Sequence, residues 1–180
     1  MERMTLRRLS TDDPDMLLVK ELYIQAFPLW ERVDLHSLFE TVPATLIGIY
    51  TDKKARRFAG FFIVIEDRKL VFLQYFVTIP EVHMAELQQQ ALQALTEMYR
   101  DRPVIVVYES VCPECDDAAE RERRRAFYLH NGFHECPWYA LYEHAKYGIA
   151  SSTETVSDTV IEHLLHLYQS FNSNFYTHHN

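Results

Sequence analysis

The stretch that decides the fold runs from residue 70 to residue 108 and reads LVFLQYFVTIPEVHMAELQQQALQALTEMYRDRPVIVVY. Its first part, Leu70 to Val77, is rich in aliphatic and aromatic residues and predicts a strand. From Glu81 to Tyr99 the apolar residues recur every three or four positions, which predicts a long helix with one stripe on a sheet. The run Val104 to Tyr108 is apolar on both faces and predicts a covered strand. This order predicts a right-handed crossover between parallel strands.

The residues before this stretch predict an antiparallel start to the sheet. The second of two helices there is short, and the first ends where a proline restricts the residue before it. The predicted elements are a strand at Met4 to Leu9, a helix from Pro14 to the Phe27–Pro28 step, a short helix at Asp34 to Thr41, and strands at Ala44 to Tyr50 and Phe58 to Ile65. With the strand at Leu70, the last two form a meander.

The residues after the stretch predict two further helices and two strands. Gly132 stands where a left-handed residue would end a helix. The predicted elements are a helix at Asp116 to Asn131, strands at Trp138 to Tyr142 and around Gly148 to Ser152, and a closing helix after Ser157 whose apolar and aromatic side continues to Phe171, Phe175 and Tyr176. The fold class is therefore α/β with a mixed sheet of about seven strands, an antiparallel N-terminal meander, a parallel central pair and flanking helices. Residues 1–180 are predicted to form a single domain.

Composition limits the classes of function. The 180 residues carry a net charge of −8, which disfavours nucleic acid as a partner, because such binding depends on Lys and Arg. The same charge favours a cationic ligand such as an amine. No apolar run is long enough to cross a bilayer and no signal sequence is evident, so we predict a cytoplasmic protein without a membrane partner.

The three cysteines do not form the framework of a secreted domain, and we predict that all three are reduced thiols. Cys112 and Cys115 have half of the ligand spacing of a zinc ribbon. No second cysteine pair or well-spaced histidine pair completes the site, so no metal is predicted. His163 and His166 on the closing helix, and His178 and His179 at the end of a polar tail after it, are predicted to be solvated.

Three segments, in their order, are similar to one known family. They are Glu21 to Pro28 followed by Glu31-Arg32, similar to "aFP..ER"; Leu73 to Val77, similar to a central fourth strand; and Glu122 to Phe133, similar to "RR..FY..nGF". The chain thus resembles the GCN5-related N-acetyltransferase (GNAT) family, in particular bacterial members with a short helical insertion after the first helix. The predicted order of elements matches that fold over nearly the whole chain.

The resemblance implies direct transfer of an acetyl group from acetyl-coenzyme A to a primary amine of a small molecule or peptide. It implies that Tyr128 is the general acid, and that Phe76, Val77 and Thr78 pair with the pantetheine arm through their backbone groups. His83 and Arg124 are the candidates for the phosphates. A homodimer is also plausible on family grounds.

The proton acceptor is left open between two carboxylates. Glu109 is at the end of a central strand, where α/β sheets place ligands, and Glu31 is in the turn after the first helix. The strand end makes Glu109 the preferred candidate.

One segment departs from the family pattern. The family's pyrophosphate loop reads R/Q-x-x-G-x-G/A, because glycines let backbone N–H groups close around the phosphates. The matching segment here, His83 to Gln88, contains no glycine, and the four glycines of the chain lie elsewhere. The alternative function is therefore a catalytically inactive module of the same fold that binds or senses a ligand.

Overall fold

A computed structural model describes residues 4–51, 57–80, 84–143, 145–170 and 176–179. Within these ranges the elements are β1 Thr5–Leu9, α1 Met16–Ala26, a 3₁₀ turn Leu29–Glu31, α2 Leu35–Thr41, β2 Ala44–Thr51, β3 Arg57–Glu66, β4 Val71–Thr78, α3 Met84–Met98, β5 Val104–Glu109, α4 Ala118–His130, β6 His134–Tyr142, β7 Ala145–Ser151, α5 Asp158–Gln169 and β8 Tyr176–His179. The strands form one mixed sheet in the order β1-β2-β3-β4-β5-β7-β6-β8. This confirms the predicted α/β class with a parallel central pair, and the described residues form eight strands where about seven were predicted.

The chain divides into two compact units. One comprises Met1–Glu66 and Leu73–Met98, and the other comprises Asp67–Phe72 and Tyr99–Asn180. A single domain over 1–180 stays a prediction. No helix among the described residues is long and apolar enough to cross a membrane.

The first unit is the antiparallel meander and its helices. β1 pairs with β2, and β2 pairs with β3, with a register shift between Ile49 and Tyr50. Gly60, opposite Ile49, has φ 154°, and a Cβ there would lie 2.2 Å from the carbonyl oxygen of Val77 on β4. The backbones of β3 and β4 therefore approach each other at a point that only glycine permits.

The second unit is built on β5. Val71 and Phe72 pair in parallel with Val104 and Ile105, and β7 pairs antiparallel with both β5 and β6. Val104 to Val106 are at most 1% exposed, which confirms the covered strand. α5 is joined to the turn before β4 by a contact between His163 and Asp67, with 2.9 Å between Nδ1 and Oδ1. His163 is thus paired, where the sequence predicted a solvated side chain.

The end of the chain differs from the prediction. α5 ends at Gln169, and Tyr176 begins β8, which pairs with β6. His178 and His179 lie opposite Tyr139 and Trp138 in this ladder, so they are in a strand and not in a polar tail. Phe171 and Phe175, predicted on the helix, lie outside the described residues.

The prediction of three reduced thiols is wrong for two of them. Cys112 and Cys115 form a disulfide with a Cα–Cα distance of 5.3 Å, and Cys136 is a free, buried thiol. The two cysteines face each other because the backbone N–H of Cys115 donates to the carbonyl of Cys112, which closes a turn. No group of three metal-ligating side chains is found among the described residues.

The close approach at Gly60 predicts a large effect of a single methyl group. Gly60→Ala should lower the free energy of unfolding by about 2–4 kcal/mol, because the methyl would overlap the backbone of Val77 and Thr78. Gly132→Ala is the control: its φ is 85°, but nothing lies within 4 Å of the added Cβ. It should lose about 1–2 kcal/mol, from backbone strain alone. Equal losses for the two variants in urea unfolding would contradict the close approach.

Candidate functional site

The turn after α4 holds Tyr128 in place. The carbonyl of Tyr128 accepts hydrogen bonds from the backbone N–H groups of Asn131 and Phe133, at 3.0 and 3.1 Å. The side-chain amide of Asn131 donates to the carbonyl of Phe127 at 2.7 Å, and Gly132 takes the left-handed conformation that ends the helix. The "FY..nGF" residues therefore form a rigid helix end that fixes the backbone of Tyr128.

The ring of Tyr128 lies among three other aromatic rings. It stacks on Tyr108 with 6.1 Å between centroids, and it meets Phe127 and Phe133 at 5.4 and 5.6 Å. Burial raises the pKa of its hydroxyl to about 12, and the charge of Arg124 opposes this rise. In the described part of the chain, the hydroxyl has no hydrogen-bond partner. Tyr128 is therefore a neutral phenol at pH 7 with its proton available.

The neighbouring ring is held by a different contact. The buried hydroxyl of Tyr108 donates to Glu135 at 2.9 Å, and Arg125 donates to both oxygens of Glu135 at 2.8 and 2.7 Å. The hydrogen bonds from Arg125 do most to hold the pKa of Glu135 below its ordinary value, and the bond from Tyr108 also lowers it. Partial burial acts in the opposite direction and raises the pKa. This cluster joins β5, α4 and β6 beside Tyr128. It was missed in the sequence because its three members share no periodic spacing.

Glu109, the preferred proton acceptor, forms ion pairs with two arginines. Its oxygens lie 3.5 Å from Arg121 and 3.6 Å from Arg124. Arg121 also binds Asp117 at 2.9 Å, and Arg124 binds Glu120 at 3.2 Å. Glu109 thus lies in a charge network with Arg124, the residue predicted to meet phosphates, and that guanidinium already has two carboxylate partners.

The predicted pantetheine residues are at the end of β4 in the first unit. The backbone carbonyl of Val77 points towards Gly60 on β3. Because the backbone groups of successive residues in a strand point to opposite sides, those of Phe76 and Thr78 point away from β3, to the other edge of β4. The side chain of Phe76 stacks on Phe62 with 4.5 Å between centroids. This backbone direction is the one that pairing with an extended ligand requires.

The residues at the family's glycine positions make side-chain contacts instead. Gln88 donates from its amide to the hydroxyl of Thr78 at 3.0 Å, and Glu86 accepts from Gln90 at 3.2 Å. Gln88 therefore joins α3 to the end of β4 by a contact that the sequence analysis missed. His83 lies outside the described residues.

Glu31 is in the segment that follows α1. Its backbone carbonyl accepts from the hydroxyl of Tyr75 at 3.1 Å, while its side chain is exposed and has no ion pair among the described residues. Arg32 closes the end of α1 by donating to the carbonyls of Phe27 and Ile24, at 2.6 and 2.7 Å. The "aFP..ER" residues thus end the helix and fix the backbone of Glu31.

A hollow of about 500 Å³ lies beside this segment, within the first unit. Its walls are mostly apolar, with two permanent cations and one carboxylate, and consist of Lys20, Tyr23, Ile24, Leu29, Arg32, Val33, Asp34, Leu35 and His36. The excess of cations does not favour a cationic amine, so we do not assign the hollow to an acceptor.

The predicted site residues are thus connected in two groups. In the second unit, Tyr128, Arg124 and Glu109 are linked by the charge network and by the field of Arg124 at Tyr128. In the first unit, Phe76, Val77 and Thr78 are consecutive at the end of β4, and Glu31 is joined to that strand through Tyr75.

Comparison with solved structures identifies the fold. A protein from Bacteroides thetaiotaomicron described as an acetyltransferase of the GNAT family is 19% identical, with a TM-score of 0.72 over 93% of this chain and 97% of that one. The aminoglycoside 6'-N-acetyltransferase of Enterococcus faecium is 10% identical, with a TM-score of 0.61 over 85% and 98%. The ribosomal-protein-S18-alanine N-acetyltransferase of Escherichia coli is 15% identical, with a TM-score of 0.58 over 86% and 96%.

The chain therefore has the GNAT fold, as the sequence resemblance implied. By sequence, it matches no protein-family profile and no curated protein.

The contact at Glu135 predicts a stability difference that depends on pH. Because the pKa of Glu135 is lower in the folded state, its ionised carboxylate stabilises the fold fully at pH values above the unfolded pKa. This stabilisation is lost as the pH falls through the folded pKa, which lies below 4.5. Glu135→Gln should cost about 1 kcal/mol at pH 7, since the pair with Arg125 is partly exposed. The parent and the variant should converge in acid.

Glu122→Gln is the matched control, because Glu122 also pairs with Arg125, at 3.3 Å, but is 52% exposed. It should cost about 0.3 kcal/mol. Urea unfolding at a series of pH values measures both variants, and a constant difference for Glu135→Gln down to pH 3 would contradict the assignment.

Proposed function

We propose that this chain transfers an acetyl group from acetyl-coenzyme A to a primary amine. The observation that carries the proposal is Tyr128, a phenol that keeps its proton at neutral pH and has no hydrogen-bond partner among the described residues. Tyr128 is only half-buried, so its hydroxyl is accessible to a ligand, whereas the hydroxyl of the buried Tyr108 is bound to Glu135. The GNAT fold supports the same reaction.

The reaction requires two proton movements. The amine nitrogen bonds to the acetyl carbon, the carbon–sulfur bond breaks, and the departing thiolate takes a proton, while the amine gives up its own. Tyr128 supplies the proton to the sulfur. Its high pKa keeps the proton on the phenol until the thiolate forms, and Arg124 stabilises the phenolate that remains.

The residues at hand fit acetyl-coenzyme A in part. The backbone groups of Phe76 and Thr78 have the direction needed to pair with the amides of the pantetheine arm, and the co-substrate would supply the activated acetyl group. For the pyrophosphate, the first turn of α3 carries Glu86 and no described basic residue. Arg124, the other candidate, already has two carboxylate partners, so His83 alone remains the proposed phosphate contact, and we expect weak binding of this half.

The two candidate proton acceptors differ in their surroundings. Glu109 has ion pairs to Arg121 and Arg124, whereas Glu31 has none among the described residues. An unpaired carboxylate can accept a proton without first losing a partner. We therefore propose Glu31 as the acceptor and a positioning role for Glu109, which holds Arg124 near Tyr128.

The acceptor is proposed to be a primary amine on a peptide or a small molecule. The structural neighbours include one enzyme that acts on an alanine of a ribosomal protein and one that acts on an aminoglycoside. The net charge of −8 would attract either kind of cation.

Tyr128→Phe tests the proposal directly, with a panel of amine acceptors including a peptide N-terminus and a polyamine. The variant should keep its stability within about 1 kcal/mol and lose about 10²–10³-fold in kcat, the scale of general acid catalysis. Tyr108→Phe is the control, because its hydroxyl is already bound to Glu135. Compared with Tyr128→Phe, it should lose more free energy of unfolding and less kcat. Full activity of Tyr128→Phe would exclude the proposed acid.

Arg124→Gln separates two roles of that arginine. If Arg124 acts through Tyr128, kcat should fall on the order of 10-fold with little change in KM for acetyl-coenzyme A. This is the result we expect, because Glu109 and Glu120 already occupy the guanidinium. Arg123→Gln is the control, since Arg123 is exposed and contacts the backbone at Ala119. A rise in KM that depends on salt would instead assign Arg124 to the phosphates.

A further inference from the structure

The Cys112–Cys115 disulfide adds little constraint to the fold. Its partners are three residues apart and lie in the connection between β5 and α4. The backbone bond from Cys115 to Cys112, at 3.0 Å, already closes the same turn. A disulfide across so short a loop removes the least freedom from the unfolded chain. Stabilisation of the fold is therefore a weak explanation for this bond.

The bond is accessible to attack, in contrast to the third cysteine. Cys112 and Cys115 are both partly exposed, and Val111, Pro113, Glu114 and Asp116 around them are exposed. Cys136 is 9% exposed, and burial raises the pKa of its thiol to about 11. Thiol chemistry on the native protein should therefore take place at the pair and leave Cys136 unchanged.

The charges beside the bond select the kind of thiol that can react. Glu114 and Asp116 are exposed carboxylates within one residue of Cys115, and Asp117 follows. Arg121 binds this segment at Asp117 and is shared with Glu109. The local field is negative, so an anionic thiol is repelled and a cationic one is attracted.

We propose that Cys112–Cys115 is a site of thiol–disulfide exchange with a protein dithiol whose reactive thiol is surrounded by positive charge. The partner's thiolate attacks one sulfur, the Cys112–Cys115 bond breaks, and the released thiolate takes a proton. The partner's second thiol, as its thiolate, then attacks the mixed disulfide, whose bond breaks, and the second cysteine leaves as a thiolate that takes up a proton. The cysteine pair gains two electrons and two protons, and the partner leaves as a disulfide.

The redox state of the pair acts on the residues at both ends of the connection. Arg121 donates to the carbonyl of Ser110 at 3.4 Å, lies 3.5 Å from Glu109, and binds Asp117 at 2.9 Å. It thus links the end of β5 to the start of α4 across the disulfide. Opening the bond relaxes this link and loosens the charge network that holds Arg124. Only the resulting effect on acetyl transfer rests on the proposed function.

The exchange is tested on the purified, oxidised chain with three thiols of similar size. Cysteamine is cationic, 2-mercaptoethanol is neutral and 3-mercaptopropionate is anionic. Alkylation and mass spectrometry follow reduction, and the rates are compared per thiolate. Cysteamine should exceed 3-mercaptopropionate by about 10-fold at low salt, and 1 M salt should remove most of the difference. Cys136 should stay unalkylated.

The double substitution Glu114→Gln with Asp116→Asn is the matched variant and should lose the preference for cysteamine at low salt. Equal rates for the three thiols on the parent, or no reduction without denaturant, would overturn the proposal. Neither result depends on acetyl transfer, so this test can fail while the proposed function holds.

The link to Arg121 is tested by amide hydrogen exchange. The first turn of α4, where the N–H of Glu120 bonds to the carbonyl of Asp117, should exchange at least about 5-fold faster after reduction. Cys112→Ser with Cys115→Ser should exchange like the reduced parent. Identical amide exchange rates in the oxidised parent, the reduced parent and the variant would show that the redox state of the pair has no effect on the first turn of α4.

Discussion

The carboxylate of Glu135 joins three elements of the second unit, β5, α4 and β6, at one point. A buried tyrosine hydroxyl needs an acceptor, and Glu135 provides one to Tyr108 while it binds the guanidinium of Arg125 with both oxygens. Arg125 is three residues before Tyr128 on α4, so the contact fixes how that helix is turned towards β5. The stacking of Tyr128 on Tyr108 follows from this orientation.

Elements with a strong local pattern could be predicted from the sequence. The stripe of α3, the covered strand β5 and the left-handed Gly132 each depend on residues close in the chain, and the structure agrees with them. β8 has no such pattern, because it becomes a strand only through pairing with the edge of β6. The disulfide was missed for a related reason. Its spacing is equally compatible with free thiols, a metal or a bond, and the turn geometry decides among them.

At the candidate site, the sequence identified segments better than contacts. The "FY..nGF" pattern located the end of α4 and the position of Tyr128, but the stacking of its ring depends on Tyr108 of β5, which is distant in sequence. Glu109 was preferred because of its place at a strand end. Its two ion pairs come from side chains on α4, whose rotation about the helix axis no local rule determines. The role of Gln88 likewise depends on a contact that the sequence does not show, the hydrogen bond from its amide to Thr78.

The position of β7 between β5 and β6 has a consequence for the order in which the chain folds. β6 comes first in the sequence, yet β5 pairs with β7, so β6 cannot reach its place until β7 exists. Tyr142 pairs with Ala145, and this short connection lets β6 and β7 form a hairpin on their own. Local hairpins close within microseconds, whereas strands distant in sequence meet later. We therefore infer that the hairpin forms first and adds to β5 as one piece.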